Sequence, residues 1–286
     1  MKISEIDWLK GSNIQDCSFT NIGHVLGSEQ NRITPVTDEF ELQRALISEE
    51  VKGVILPVLM TIPENTRKGI IESRNPHLTA IRINSDINKR KELLVKPSSI
   101  HPSAQIHPSA QIDPYNVIIA KGAEIGERVV IRQGSRIGKS CKIGPNTIIG
   151  ENPLINGERW VDKQIFGLVE IKDNVSIHSN CLIERPLFND KTTIGFSCQI
   201  DNRVTIHQGS SIHNLSLITA NSEIGEYVTI GKGCWVGLRT LIHRGVRIGD
   251  SCYITLGSTI TEDVPEGMVV KDNWKISRNR FRGMII

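Results

Sequence analysis

From Ile194 to Ile260 every sixth residue is aliphatic, isoleucine throughout except for Val236. The same period runs from Ile119 to Ile149 and again through Ile171, Ile177 and Ile183. An α-helix repeats one face at spacings of three and four, and a half-buried strand alternates by two, so neither holds a period of six. The fourth residue after each aliphatic is small or β-branched, as at Val129, Ser135, Cys141, Thr147, Val246, Cys252 and Ser258. Hexads of this form describe a parallel β-helix. Each hexad supplies one short strand and a corner, and three close a coil whose aliphatics stack inward at about 4.8 Å per coil. The stretch from Ile100 to Ile260 then corresponds to about nine coils.

Composition agrees with a repeat. Only 5% of the 286 residues are aromatic, fewer than a conventional core would use. Five of the six cysteines occupy the small-residue slot, and none forms a CxxC pair. Reduced cysteine serves there as a small buried residue, and neither a zinc site nor a disulfide framework is indicated. The net charge of +3 gives no support to a nucleic-acid partner. The longest apolar run, Gly53 to Ile62, is too short to span a bilayer, and no tripartite secretory signal opens the chain. A cytoplasmic protein without a membrane span is the expectation.

Three domains are read from the texture of the chain. Residues 1–97 form a small α/β domain, 98–268 the β-helix, and 269–286 a basic tail. In the first, TDEFELQRALISEE reads as a helix capped by Thr37, KGVILPVLM as a buried strand, ENTRKGIIESR as a helix, LTAIRI as a strand and SDINKRKELLVK as a helix. Two stretches interrupt the hexads, ENPLINGERWVDKQIFG at 151–167 and RPLFND at 185–190. A solenoid admits insertions at its corners, where they project as loops. Trp160, Phe166 and Phe188 on these loops are expected to cover a ligand or a neighbouring subunit, or to pack on their own coil wall. The tail carries Lys271, Trp274, Lys275 and Arg278, a candidate phosphate-binding set for coenzyme A or an acyl carrier, or else a solvated extension.

The chain resembles the hexapeptide-repeat acyltransferases. It is most similar to the family that N-acylates UDP-3-O-acylglucosamine in lipid A synthesis. The likeness is carried by the α/β domain, the entry IHPSAQIHPSAQID, the loop with Trp160, the corner IERPLFNDKTTIG, the segment IDNRVTIHQGSSI, and Trp274-Lys275. The resemblance implies left-handed coiling, a homotrimer with sites between subunits, a nucleotide-sugar amine as acceptor, an acyl thioester as donor, and a histidine base. Nothing is implied to be bound permanently; acyl-CoA or an acyl carrier protein enters as donor substrate. The family's base lies two residues after the inward aliphatic, where this chain has Gln208, with His207 before it. Phe40 is the one aromatic in the region where the family stacks uracil, and the family's longer carboxyl extension is shortened. These departures favour a sugar N-acyltransferase of surface-polysaccharide synthesis that uses acyl-CoA. The acyl-carrier-dependent lipid A enzyme is the alternative.

Amide formation from a thioester removes a proton from the attacking nitrogen and stabilises charge on the tetrahedral oxygen. Histidine, with an ordinary pKa near 6.5, suits the first task. His207 is the leading candidate base, and His213 the second. His243, two coils further along the same wall at about 10 Å, is expected to line the same groove. His178, His101 and His107 also follow inward aliphatics, the last two as corner filling. Asp201, Asn202, Gln208, Glu184 and Trp160 are the candidate substrate-binding residues. Two rivals share the fold. One is a trimeric hydratase holding zinc with three histidines; the other is a scaffold that binds nucleotide sugar without turnover.

Overall fold

The computed structural model describes residues 1–9, 14–63, 65–89, 96–153 and 167–277. They divide into two compact units. Among the described residues, the first comprises the chain up to 89 together with Leu187–Asp190, and the second holds the rest. No described helix is long and apolar enough to cross a membrane.

The first unit is a five-stranded sheet with two helices. Strands β1 (Ile14–Gln15), β2 (Asn21–Ile22), β3 (Arg32–Pro35), β4 (Val51–Pro57) and β5 (Gly69–Ser73) lie in the order β1-β5-β4-β3-β2. Only β1 runs antiparallel to its neighbour. Helix α1 (Glu39–Ile47) is capped by Asp38, whose carboxylate accepts the Glu41 amide at 2.8 Å, and not by Thr37. The expected helix ENTRKGIIESR contains the strand β5, and the expected strand LTAIRI lies inside α2 (Pro76–Lys89). Tertiary placement decides both. Gly69 takes a position where a Cβ would fall 2.3 Å from the Cys17 thiol, so β5 threads a tight slot between β1 and β4. Ala80, Ile83 and Ile87 are buried at helical spacing, behind Pro76 at the first turn and an Asn75 side chain that accepts the Leu78 amide. The third expected helix begins within α2, and its residues 90–95 lie outside the described residues.

The second unit is the expected parallel β-helix of hexapeptide repeats. Its strands are mostly two residues long and stack into three parallel sheets. The first face runs from Ser99–Ile100 to Arg247–Ile248, the second from Gln105–Ile106 to Tyr253–Ile254, and the third from Gln111–Ile112 to Thr259–Ile260. Each face has eight such strands, making eight coils instead of about nine, because the two insertions consume the remaining length. The periodic aliphatics meet in register, Ile183 on Ile206 and Ile206 on Ile224, and form one continuous core.

The small-residue slot has a second requirement beyond size. Each of its cysteines donates its thiol to a backbone carbonyl of the next coil: Cys141 to Lys172, Cys181 to Asp201, Cys198 to His213, Cys234 to Gly249 and Cys252 to Pro265, at 3.0 to 3.1 Å. Ser210, Ser216 and Ser222 make the same bond with their hydroxyls. The slot therefore takes a small side chain, and these eight cysteines and serines also use it to tie coil to coil.

The 269–286 segment is not simply a tail. Strands Met268–Lys271 and Trp274–Ser277 form an antiparallel hairpin that extends the second face. It pairs with the last edge of that face, which removes an open row of backbone groups. Residues 278–286, with Arg278, lie outside the described residues.

Candidate active site

The chain turns from the third face to the first at one corner, and that corner holds most of the unusual residues. Both insertions occur there: 151–167 follows the strand Ile148–Glu151, and 185–190 follows Leu182–Glu184. The strand of the next coil, Thr205–Ile206, leads into His207 at the same corner. Since Ile183, Ile206, Ile224 and Ile242 are stacked in register, Glu184, His207, Gly225 and His243 are successive rungs of one edge.

His207 lies between two carboxylates. Its Nδ1–H donates to Glu184 Oε2 at 3.0 Å, and its Nε2–H donates to Glu223 Oε1 at 3.1 Å. Glu184 comes from the coil before and is buried; Glu223 comes from the coil after, with its side chain 58% exposed. The Glu184 bond raises the His207 pKa most; burial opposes it, and Glu223 adds to the rise, giving a value of about 9. A rise from 6.5 to about 9 corresponds to about 3 kcal/mol of preference for the imidazolium. The resting ring at neutral pH is thus a cation, in contrast to the near-neutral histidine expected from sequence. The cause is a pair of carboxylates supplied by neighbouring coils.

The surroundings fix this geometry. Glu184 Oε2 also accepts the Gln208 amide at 3.2 Å, and Gln208 Nε2 donates to Glu226 Oε1 at 3.0 Å. Gly209 has φ +70°, and an added Cβ would meet the Tyr227 ring at 2.3 Å; its amide donates to Thr192 Oγ1. Beside Glu184, the buried Arg185 guanidinium donates to Asn152 Oδ1 at 2.8 Å and to the Gln133 carbonyl at 2.9 Å. Its pKa is lowered by burial, against the opposing pull of Asp113 and Glu151. Gly225 is required by close approach, because a Cβ there would lie 2.6 Å from the Ile242 carbonyl. It leaves no side chain on the rung between His207 and His243.

The other sequence candidates distribute as follows. Glu184 and Gln208 are joined to His207 directly. His243 is exposed two rungs away on the same edge, where the spacing placed it. His213 follows the first face and lies at a different corner. Asp201 and Asn202 follow the second face and staple its turn: Asp201 Oδ1 accepts the Asn202 amide and side chain, and Asn202 Oδ1 accepts the Ser179 amide. Neither is brought to His207. Lys271, Trp274 and Lys275 sit on the terminal hairpin of the second face, with Lys271 donating to the Leu256 carbonyl and Lys275 paired to Glu262 at 2.9 Å. They belong to a different face from the corner of His207. Trp160 and Phe166 lie outside the described residues. Phe188 packs with Leu187 into the core of the first unit, among Ile3, Phe19 and Ile55, instead of covering a coil wall or a ligand. His101 and His107 each accept a local amide at Nδ1 and fill corners.

An open groove of about 780 Å³ lies along the early second face, between His107 and His178 and over Gly126 and Gly144. It has no part of the His207 cluster. Gly126 and Gly144 lie on adjacent rungs of its lining. Sequence reading missed Glu223, Glu226, Thr192, Tyr227 and Arg185. Stacking arithmetic reveals two of them: Glu223 immediately precedes Ile224, the residue in register above Ile206, and Glu226 lies one coil above Gln208. Among the described residues, no three His, Cys, Asp or Glu side chains converge as a metal-ligand set.

No family model and no curated protein matches the chain. Solved structures do. UDP-N-acetylglucosamine O-acyltransferase from Moraxella catarrhalis is 26% identical over 65% of this chain and 76% of its own, with a TM-score of 0.43. The UDP-N-acetylglucosamine acyltransferase from Bacteroides fragilis is 23% identical over 64% of this chain and 78% of its own, with a TM-score of 0.49. A variant of GDP-perosamine N-acetyltransferase from Caulobacter crescentus, in complex with CoA and GDP-perosamine, is 15% identical over 85% of this chain and 94% of its own, with a TM-score of 0.21.

Proposed function

We propose that this protein transfers an acyl group from a thioester to the amine of a nucleotide-activated amino sugar. His207 is the general base, and Glu184 orients it. The observation that carries this reading is the Glu184–His207 bond at the corner from which both insertions depart. The buried carboxylate holds Nδ1 and turns Nε2 toward the outside, the arrangement by which a base is oriented for proton transfer. The sequence resemblance supplies the substrate classes.

In the proposed reaction the acceptor nitrogen attacks the thioester carbonyl, the C–N bond forms and the C–S bond breaks. Nε2, once it has lost its resting proton, takes a proton from the nitrogen and returns it to the departing thiolate sulfur. The donor is acyl-CoA; the protein acts as a cytoplasmic homotrimer in surface-polysaccharide synthesis.

The test is acyl transfer from acetyl-CoA to nucleotide-linked amino sugars by the purified full chain. Sedimentation reads its oligomeric state alongside. His207→Ala should lower kcat by at least about 100-fold with the assembly unchanged. Near-normal turnover in that variant would move the base elsewhere, and stoichiometric zinc in the purified protein would favour the hydratase.

A further inference from the structure

We infer that Glu223 selects the acceptor, holding the substrate's ammonium group in place of the proton on His207 Nε2 and so favouring amines over hydroxyls. This inference rests on the reading of His207 as the base of an acyl transfer and deepens it.

The two carboxylates that meet His207 are not equivalent. Orientation of an imidazole needs one partner, and Glu184 provides it from a buried position that also receives the Gln208 amide. A second carboxylate on Nε2 obstructs a base, because it keeps on that nitrogen the proton that must leave. Glu223 nevertheless occupies this place, at 3.1 Å, on the outer surface of the third face. Its side chain is 58% exposed, so it can accept another donor without leaving its strand.

The groups around Nε2 are matched to a cation. Glu184 from the coil before, and Glu223 and, through Gln208, Glu226 from the coil after, face this corner. Arg185 turns away, to Asn152 and Gln133. Gly225, on the rung after His207, carries no side chain, and its Cβ position is taken up by the backbone of the following coil, 2.6 Å from the Ile242 carbonyl. An incoming R–NH₃⁺ can donate to Glu223 from the solvent side, where that side chain is 58% exposed. Two cations then compete for one carboxylate. The imidazolium, with its Nε2 bond displaced, gives up its proton to solvent and becomes the neutral base. The ammonium loses one proton to become nucleophilic and a second, to Nε2, as the amide forms; the thiolate takes a proton from Nε2–H as it leaves. Atoms and charges balance as R–NH₃⁺ plus thioester giving amide, thiol and H⁺. A hydroxyl acceptor brings no charge, cannot displace the imidazolium, and meets a protonated ring.

The experiment compares acceptor pairs that differ by one functional group. UDP-glucosamine is set against UDP-glucose, and GDP-perosamine against GDP-rhamnose, each with acetyl-CoA and the full chain. Wild type is expected to acetylate an amine of at least one pair and not its hydroxyl counterpart. Glu223→Gln should raise KM for the amine by about 10- to 100-fold, the range of a hydrogen bond to a charged group. The same variant should shift the acid limb of kcat/KM to lower pH, because Nε2 loses its carboxylate. Glu223→Asp should recover part of the amine preference. A Glu223→Gln enzyme with wild-type KM for the amine and an unmoved acid limb overturns the role of Glu223 while leaving the acyl-transfer reading standing. Transfer by wild type to none of the four acceptors defeats the nucleotide-sugar reading itself.

Discussion

Two histidine–glutamate pairs among the described residues, His24–Glu41 in the α/β unit and His207–Glu184 in the β-helix, are built in opposite ways. In the α/β unit His24 and Glu41 are both buried, with side chains 7% and 4% exposed and Nε2 to Oε1 at 3.6 Å. His24 Nδ1 accepts the Leu26 amide at 3.2 Å. Glu41 also receives the Thr37 amide and hydroxyl. In the β-helix His207 is 27% exposed, donates from both nitrogens, and has one buried and one exposed carboxylate. The first pair is closed by backbone on both sides. The second is closed on one side only. A group that is to exchange protons needs an open side, and a group that is to hold two segments together does not.

Titration sharpens the contrast. Burial raises the Glu41 pKa, but the His24 and Thr37 hydrogen bonds outweigh it and hold the carboxyl down at about 2. A depressed folded pKa gives stability that is present above the unfolded value of about 4.3 and is lost as pH falls toward 2. His207 behaves in the opposite sense. Its raised folded pKa gives stability that is full below about 6.5 and is lost as pH rises through about 9.

The comparison can be broken by substitution, beginning with catalysis. Glu184→Gln should lower kcat about 10- to 100-fold and move the acid limb of kcat/KM down from near 9, because Nδ1 loses its charged partner. Glu41→Gln should leave kcat within twofold and lower the unfolding free energy by about 1–3 kcal/mol, read by urea titration. If the two variants exchanged these effects, the division into a working pair and a structural pair would fail. Gly209→Ala should destabilise by about 1–3 kcal/mol, because the added methyl strikes the Tyr227 ring and the backbone has positive φ. The last effect concerns pH alone. Between pH 7 and 9 wild type should lose stability relative to His207→Gln, by up to about 3 kcal/mol, seen as a steeper fall of Tm in the wild type.

The coil was legible because the inward aliphatics and the donor slot impose themselves on every hexad, and no local propensity competes. The corner of His207 was legible for the same reason, as was its place two rungs from His243 on one edge. What stayed hidden was partnership across coils. Glu184 and His207 are 23 residues apart, not 18, because RPLFND lengthens that coil. Glu184 was accordingly read as a substrate contact instead of the partner of the ring. The α/β unit was read less well. Ile70-Ile71 in β5 and Leu78 to Ile83 in α2 are both short apolar runs, and only packing tells a strand from a helix there.

The buried thiols also give the solenoid a means of reporting its own unwinding. Cys141, Cys181, Cys198, Cys234 and Cys252 are each covered by the coil to which they donate. An alkylating reagent can reach one of them only when its rung has opened. Labelling each in turn against denaturant would therefore time the loosening of the stack from end to end, with Cys17 of the other unit as an independent clock.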